Sequence, residues 1–211
     1  MRKIFCDSKN EAETRELLID AEKIVKRILG NSFSHGYPHV FRVRNIAWKI
    51  VEVEKLQVDP LVLDLAVILH DAGRGLGDPH ALYSAYFAEG FLRNKGLCDE
   101  KLSIIINAIL YHSYSYARKH GIQPLSVEAK VLSDADKLDA LGTVGFLRVF
   151  LHGQEYGRSY EDSLQHFDEK IFRLKELLHF EYSRRLAKKL EERTRIILRW
   201  LEEEVSDDII D

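Results

Sequence analysis

The amino-acid sequence predicts an all-α fold in a single domain, and three observations support that prediction. Hydrophobic residues recur with a helical period over almost the whole 211-residue chain. No stretch alternates hydrophobic and polar residues between hairpin turns such as Asn-Gly. No internal repeat, low-complexity segment or Ser/Gly-rich linker divides the chain. We therefore expect residues 1–211 to form one helical bundle around one hydrophobic core.

Capping residues place the helices of the N-terminal half. Asn10 with Glu13 resembles a capping box that starts a helix, and Gly30 is a typical left-handed stop for that helix. The pairs Asp59-Pro60 and Asp78-Pro79 each put a capping acceptor before a proline at the first helical position. The predicted helices here reach Leu29, run from Pro60 to Asp71, and run from Pro79 to Lys95.

The same signals place four helices in the C-terminal half. The last of them is amphipathic, so it either covers its own core or pairs with a second copy in a homodimer, and periodicity does not separate the two. Segments rich in Gly, Ser, Tyr or Pro are expected as loops, over 30–38, 72–78, 113–125 and 153–160. The expected helices run from Asp99 to His112, Ser126 to Leu141, Ser159 to Leu178 and Glu181 to Val205.

Composition excludes several classes of protein. Two cysteines, Cys6 and Cys98, cannot build a disulfide framework or a four-thiolate zinc site. A net charge of -3 argues against a surface made to hold nucleic acid. The most continuous apolar run, Leu61 to Leu69, has about half the length that crosses a bilayer, and no apolar signal segment follows Met1. We expect a cytoplasmic protein with neither a membrane nor a stable nucleic-acid partner.

The helix predicted from Leu61 is apolar on every side and ends in His70-Asp71. Such a helix is buried. An imidazole and a carboxylate at its buried end cost on the order of several kcal/mol unless something compensates their charge. A metal ion would do so. The alternative is a helix end at which both side chains face water, and this segment alone does not decide between the two.

Two other segments also contain aspartate or histidine side chains beside apolar residues. The helix predicted over 126–141 interrupts its apolar side with Asp134, Asp136 and Asp139, which are either solvated or functional. Pro38 biases Tyr37 away from helix, so His39 falls in the first turn of the next helix. His35 and His39 have the spacing of a zinc pair, but the proline between them argues against one continuous helical face.

His39, then His70-Asp71, then Asp136, in that order on separate helices, resembles the H...HD...D pattern of the HD-domain metal-dependent phosphohydrolases. Flanking residues strengthen the resemblance, among them Gly73-Arg74 after the HD pair and the string Asp134-Ala135-Asp136-Lys137-Leu138-Asp139. The resemblance covers residues 35–150 and is closest to a bacterial and archaeal subfamily of these proteins. The helices over 159–205 loosely resemble the C-terminal part of that subfamily. At Gly36 the chain departs from relatives that carry an aspartate, which puts in doubt a substrate contact there.

The resemblance implies an HD-domain helical bundle in which His39, His70, Asp71 and Asp136 bind one divalent metal ion. Two imidazoles and two carboxylates suit manganese, iron, nickel, cobalt or magnesium. Cations next to these ligands are candidates to bind phosphate oxygens, although each has a plain alternative as a surface or ion-pairing residue. These cations are Arg74 and Lys137, which we place in catalysis, and Arg42, which we place in substrate binding.

Other polar residues near the motif have several possible roles. Asp139 and Asp134 are candidates to orient a ligand or to act as a general base, and of the two we place Asp139 in catalysis. His80 and His112 lie where two-metal HD proteins bind their second ion, yet they also suit a contact with the substrate phosphate, which is the role we assign, or a place in the core. The histidines without such a context are His120, His152, His166 and His179.

The activity that the resemblance implies is hydrolysis of a nucleotide, first of all a (deoxy)nucleoside triphosphate, or of another small phosphoester by metal-activated water. Two alternatives stay open. A di-iron oxygenase on the same scaffold would hold two irons per chain, with His80 and His112 as ligands. A non-catalytic nucleotide sensor would bind its ligand without turnover.

Overall fold

Ten α-helices and two short 3₁₀ helices account for the secondary structure of residues 11–206, the part of the chain that this computed structural model describes, and no strand occurs there. The all-α prediction is confirmed. The helices are α1 (Glu11–Leu29), α2 (Tyr37–Glu54), α3 (Pro60–Leu69), α4 (His80–Lys95), α5 (Asp99–His112), α6 (Tyr114–His120), α7 (Val127–Asp139), α8 (Gly142–Glu155), α9 (Tyr160–Glu169) and α10 (Glu181–Val205). The 3₁₀ helices are Arg74–Leu76 and Ile171–Leu177.

Several predicted caps are present. The Asp59 carboxylate accepts hydrogen bonds from two backbone N–H groups of the first turn of α3. Ser126 caps α7 and Ser159 caps α9 in the same way. Gly30 follows α1 with a φ of 61°, as a left-handed stop requires. Asn10, the first residue of the predicted capping box, lies outside the described residues.

Other boundaries differ from the prediction. Asp78 does not cap α4, because Pro79 is the residue before the first turn and the Asp78 carboxylate instead contacts the His80 ring. Tyr37 is already helical at the start of α2. The helix expected to reach Leu178 breaks at Lys170, and the following 3₁₀ helix turns its first two residues into the core. Part of the expected loop over 113–125 forms α6, which buries Ala117.

Helix α3 lies at the centre of the bundle, where it contacts α1, α2, α4, α5 and α7. All of its residues from Leu61 to Leu69 are buried, including Asp64. Arg44 of α2 neutralises that carboxylate through hydrogen bonds of 2.7 and 2.8 Å to its two oxygens, and the Trp48 indole N–H donates a further hydrogen bond to it. The fixed position of α3 places His70 and Asp71 inside the protein. Within residues 11–206, no helix is both long and apolar enough to span a bilayer.

Candidate metal centre

The structure brings the four sequence-predicted metal ligands together. His39 stands in the first turn of α2, His70 and Asp71 follow α3, and Asp136 belongs to α7. The His39 Nε2 atom lies 3.2 Å from Nε2 of His70, 3.6 Å from an Asp71 oxygen and 3.4 Å from an Asp136 oxygen. His39, His70 and Asp71 have no solvent exposure, whereas the Asp136 side chain is 26% exposed. The cluster is therefore buried and opens to solvent on the Asp136 side.

Hydrogen bonds at Nδ1 orient three of the imidazole rings. Nδ1 of His70 lies 2.7 Å from the Val67 carbonyl oxygen, and Nδ1 of His112 contacts the Ile109 carbonyl oxygen. A carbonyl oxygen only accepts, so each Nδ1 carries the proton and each Nε2 keeps its lone pair. In His39, Nδ1 lies 2.7 Å from Asp139, which has the same effect. Imidazole Nε2 lone pairs with carboxylates beside them have the donor chemistry of a divalent metal site.

The charges of the cluster fit a cation as well. Burial raises the pKa of Asp71, but Arg74 and the nearby histidines outweigh it and hold that pKa well below its usual value. Burial also raises the pKa of Asp136, and the neighbouring His39, together with the other histidines around it, brings that pKa well below its usual value. Burial lowers the pKa of His70, and it lowers that of His112 to about 3. Anionic carboxylates therefore face neutral imidazoles at neutral pH, which is the protonation state that metal binding needs.

Asp139 lies directly behind His39, and its carboxylate is shared by three side chains. Besides the His39 ring, Arg42 donates hydrogen bonds of 2.7 and 3.0 Å to it, and Arg148 donates one of 2.8 Å. The guanidinium groups also bind the carbonyl oxygens of Phe33 and Ser34, which ties the loop before α2 to this point. This arrangement gives Asp139 and Arg42 the geometry of residues that position His39.

Sequence reasoning assigned no role to Arg148. It is a single arginine within the apolar stretch Phe146 to Phe150 of α8, and the structure buries it. A buried guanidinium requires an acceptor, and Asp139 supplies one. The isolated charge in an apolar helix was therefore a usable signal, of the same kind as His70-Asp71.

The two cations assigned to catalysis occupy different surroundings. Arg74 lies at the open side of the cluster, 23% exposed, and forms a bidentate pair with Asp71 at 2.8 and 3.0 Å. Lys137 is buried and folds back along α7, where its Nζ donates to the hydroxyl and the carbonyl oxygen of Ser133. Burial lowers the pKa of Lys137. Arg74 therefore adjoins the ligands directly, whereas the described contacts of Lys137 are within its own helix.

His80 and His112 flank the side of Asp71 that is away from His39. Nε2 of His80 lies 3.7 Å, and Nε2 of His112 3.8 Å, from the same Asp71 oxygen. His70, Asp71 and His112 form a second group with the spacing of metal ligands, in addition to the group of His39, His70 and Asp136. The two groups share His70, so the cluster extends along Asp71 from one group to the other.

The turn that carries the HD pair is held by close backbone contacts. The N–H of Gly73 donates to Ser84 Oγ on α4 at 2.9 Å, and a Cβ at this position would stand 2.2 Å from the Ser84 nitrogen. Gly36 is equally confined, because a Cβ there would meet the Ser32 carbonyl oxygen at 2.3 Å. A side chain such as aspartate would not fit the present backbone at this position. Asp134 lies elsewhere, where it binds the His179 ring and two backbone N–H groups ahead of α10.

Comparison with known proteins agrees with this geometry. The family model of the HD domain matches residues 36–141. The Bacillus subtilis (strain 168) protein YpgQ, described as uncharacterised, is 31% identical over 192 residues, which cover 87% of this chain and 91% of YpgQ. The crystal structure of YpgQ in complex with ADP superposes with a TM-score of 0.70 at 25% identity, covering 92% of this chain and 96% of YpgQ.

A second solved structure points the same way. An HD-superfamily hydrolase from Bacillus thuringiensis superposes with a TM-score of 0.67 at 25% identity, covering 90% of this chain and 97% of that protein. The matched region of the family model contains His39, His70, Asp71 and Asp136. On the strength of the family model and the extended similarity to YpgQ, this chain belongs to the HD-domain family.

Proposed function

We propose that the protein is a metal-dependent phosphohydrolase that acts on a nucleotide or another small phosphoester. The observation that carries the proposal is the convergence of His39, His70, Asp71 and Asp136 at a buried point that opens to solvent beside Arg74. Family membership and the likeness to hydrolases of the same superfamily support it. The ADP bound to YpgQ makes a nucleotide the first substrate to test.

Each residue of the cluster has a defined task in this proposal. His39, His70, Asp71 and Asp136 would hold the divalent ion, of which manganese is the first to try, and a bound ion supplies Lewis-acid polarisation of a phosphoryl group and acidifies water. Asp139, held by two arginines, keeps the His39 ring in the tautomer that presents Nε2. Arg74 stands where a guanidinium can bind phosphate oxygens. Lys137, which follows Asp136 in the sequence and interacts with it electrostatically, would contribute positive charge.

The test is phosphate or pyrophosphate release by the purified protein. It uses a panel of nucleoside mono-, di- and triphosphates and a generic phosphodiester, each with manganese, magnesium, cobalt, nickel and iron(II). We expect at least one metal and substrate pair to turn over and the His70→Ala variant to lose that turnover. Wild-type protein that binds metal but releases no more phosphate than His70→Ala across the panel would rule the proposal out.

One observation favours a second candidate, a di-iron oxygenase. His80 and His112 lie beside Asp71 as the ligands of a second ion would, and their Nε2 atoms face the same oxygen. Metal analysis of protein purified from iron-supplemented cells separates the two candidates. Two irons per chain, lowered to one by His112→Gln, would favour the oxygenase, whereas one ion per chain in both proteins favours the hydrolase.

The remaining expectations belong to the same proposal. A nucleotide sensor would show tight nucleotide binding without turnover in the panel described above. We also propose a cytoplasmic location and, as an option for the amphipathic α10, a homodimer. Sedimentation equilibrium of the full chain tests the homodimer directly.

A further inference from the structure

Aromatic rings lead outward from the metal cluster along the start of α2 and the end of α8. The centroid of the His35 ring lies 6.1 Å from that of His39 and 4.6 Å from that of His152. The His152 ring in turn stacks on Tyr156 at 4.5 Å with an interplanar angle of 26°. Tyr156 is 68% exposed. A path of aromatic rings, edge-to-face at His35 and stacked at Tyr156, therefore begins at a predicted metal ligand and ends in solvent.

Two cations flank this aromatic path. Arg158 follows α8, where its backbone N–H donates to the Gly153 carbonyl oxygen at 2.8 Å, and Lys170 follows α9 with its side chain exposed. Lys170 lies within electrostatic range of Asp136, Arg74 and Arg158. His152 likewise experiences the charges of Arg74 and Arg158. Arg158 and Lys170 therefore share one neighbourhood with the open side of the metal cluster.

The carboxylates of the cluster already have other partners. Asp71 is paired with Arg74, Asp139 is shared by Arg42 and Arg148, and Asp136 lies against His39. Neither Arg158 nor Lys170 forms an ion pair with any carboxylate in residues 11–206. Cations that gather beside an anionic site and stay unpaired are suited to an anionic ligand that extends beyond the metal ligands.

We propose that Arg158 and Lys170 bind the phosphate groups of the substrate beyond the one at the metal centre, and that Tyr156, backed by His152, stacks the nucleobase. The substrate class is then a nucleoside di- or triphosphate. The inference rests on the proposed hydrolase function of the same site. A monophosphate places its only phosphate at the metal centre, so it gains nothing from the two cations. An aromatic ring stacks on any base because every base offers a π face.

Calorimetric titration of manganese-loaded protein tests the two cations. The ligands are AMP and α,β-methylene-ADP, which resists hydrolysis between its two phosphates. Arg158→Gln and Lys170→Gln should each weaken α,β-methylene-ADP by at least about fivefold, since each removes one charge-assisted contact, and should change the Kd of AMP by less than about twofold. Lys188→Gln and Arg199→Gln, exposed on α10, are matched controls that should change neither Kd.

A second titration tests the aromatic surface. Tyr156→Ala should weaken α,β-methylene-ADP and leave the Kd of inorganic pyrophosphate unchanged. Unchanged melting temperatures of all variants exclude unfolding as the cause. Equal weakening of AMP and α,β-methylene-ADP by Arg158→Gln and Lys170→Gln, or no weakening of either ligand by these two variants, would overturn this inference while wild-type turnover keeps the proposed function standing. Wild-type protein that neither binds nor hydrolyses any nucleotide would remove the inference, and turnover of a non-nucleotide phosphoester would still preserve the hydrolase.

Discussion

The two ends of α3 each bury an aspartate, and the environments of these aspartates differ. Asp64 near the beginning is enclosed by donors, namely Arg44 and the Trp48 N–H. Asp71 just after the end has one paired cation, Arg74, and is otherwise faced by imidazole nitrogens that carry lone pairs. The hydrogen-bond donors around Asp64 satisfy its carboxylate, whereas the lone pairs around Asp71 require a further cation. The presence of a buried carboxylate therefore does not by itself indicate function, and the surplus of acceptors around it does.

The largest expected effect is on the Asp71 side. Asp71→Asn removes the carboxylate charge that lies 3.6 Å from Nε2 of His39 and 3.8 Å from Nε2 of His112, so we expect the bound metal and the turnover to fall by more than about 100-fold. Metal content by mass spectrometry and phosphate release measure the two losses. Asp64→Asn is the matched control at the other end of the helix and should retain metal. Equal metal content in the two variants would contradict the comparison.

The next largest effect is on stability at the Asp64 side. Arg44→Met leaves a nearly buried carboxylate without its counter-charge, so we expect the free energy of unfolding to drop by about 3 kcal/mol. Urea denaturation measures the loss, and metal affinity should stay within about twofold because Arg44 touches no predicted ligand. Arg93→Met, which breaks exposed pairs with Glu89 and Asp99, should cost much less. If Arg44→Met cost as little stability as Arg93→Met, the result would argue against a closed ion pair at Asp64.

A methyl group tests how firmly the end of α3 is held. Gly73→Ala would press a Cβ into the backbone of Ser84, so we expect a loss of about 2 kcal/mol in unfolding free energy together with weaker metal binding. At Gly75 no atom lies within 4 Å of such a Cβ, which makes Gly75→Ala a control of the same chemistry two residues away. Thermal melts with and without manganese compare the two. Equal behaviour would show that the turn tolerates a shift.

The smallest expected effect is a pH dependence that belongs to the Asp71 side. Burial lowers the pKa of His112 to about 3 in the folded protein, whereas an unfolded histidine titrates near about 6.5. Between these values the unfolded chain binds a proton that the folded chain does not, so stability is lost as the pH falls below about 6.5. In metal-free protein we expect His112→Gln to remove about 1 kcal/mol of the loss between pH 7 and 5.5, and His120→Gln to leave it unchanged. Urea midpoints at both pH values check this.

Local chemistry explains which parts of the fold were predictable. Caps such as Asp59 and Ser126 act within one turn, so the sequence is enough to place them. The break at Lys170 and the helix over Tyr114–His120 depend on what those segments pack against, and periodicity does not contain that information. Asp78 followed the rule for a cap, yet its carboxylate contacts His80 instead.

The candidate site divides in the same way. The four predicted ligands were identified from residue type, order and family resemblance, and their proximity is what the structure adds. Arg42 and Lys137 were chosen because they are cations close in sequence to the motif. Their contacts, with Asp139 and with Ser133, depend on side-chain geometry that sequence spacing does not describe. Their proposed roles toward substrate remain predictions.

The sequence by itself determined an all-α chain with a helix too apolar to lie at the surface and an HD pair at its end, because periodicity and burial follow from residue type. Only the tertiary structure decided which polar groups form hydrogen bonds with each other. His39 and Asp139 are 100 positions apart, and Arg148 and Ser34 are 114 apart, and both pairs meet in the interior. Contacts across such separations arise when helices pack, since the chain between them imposes no distance of its own.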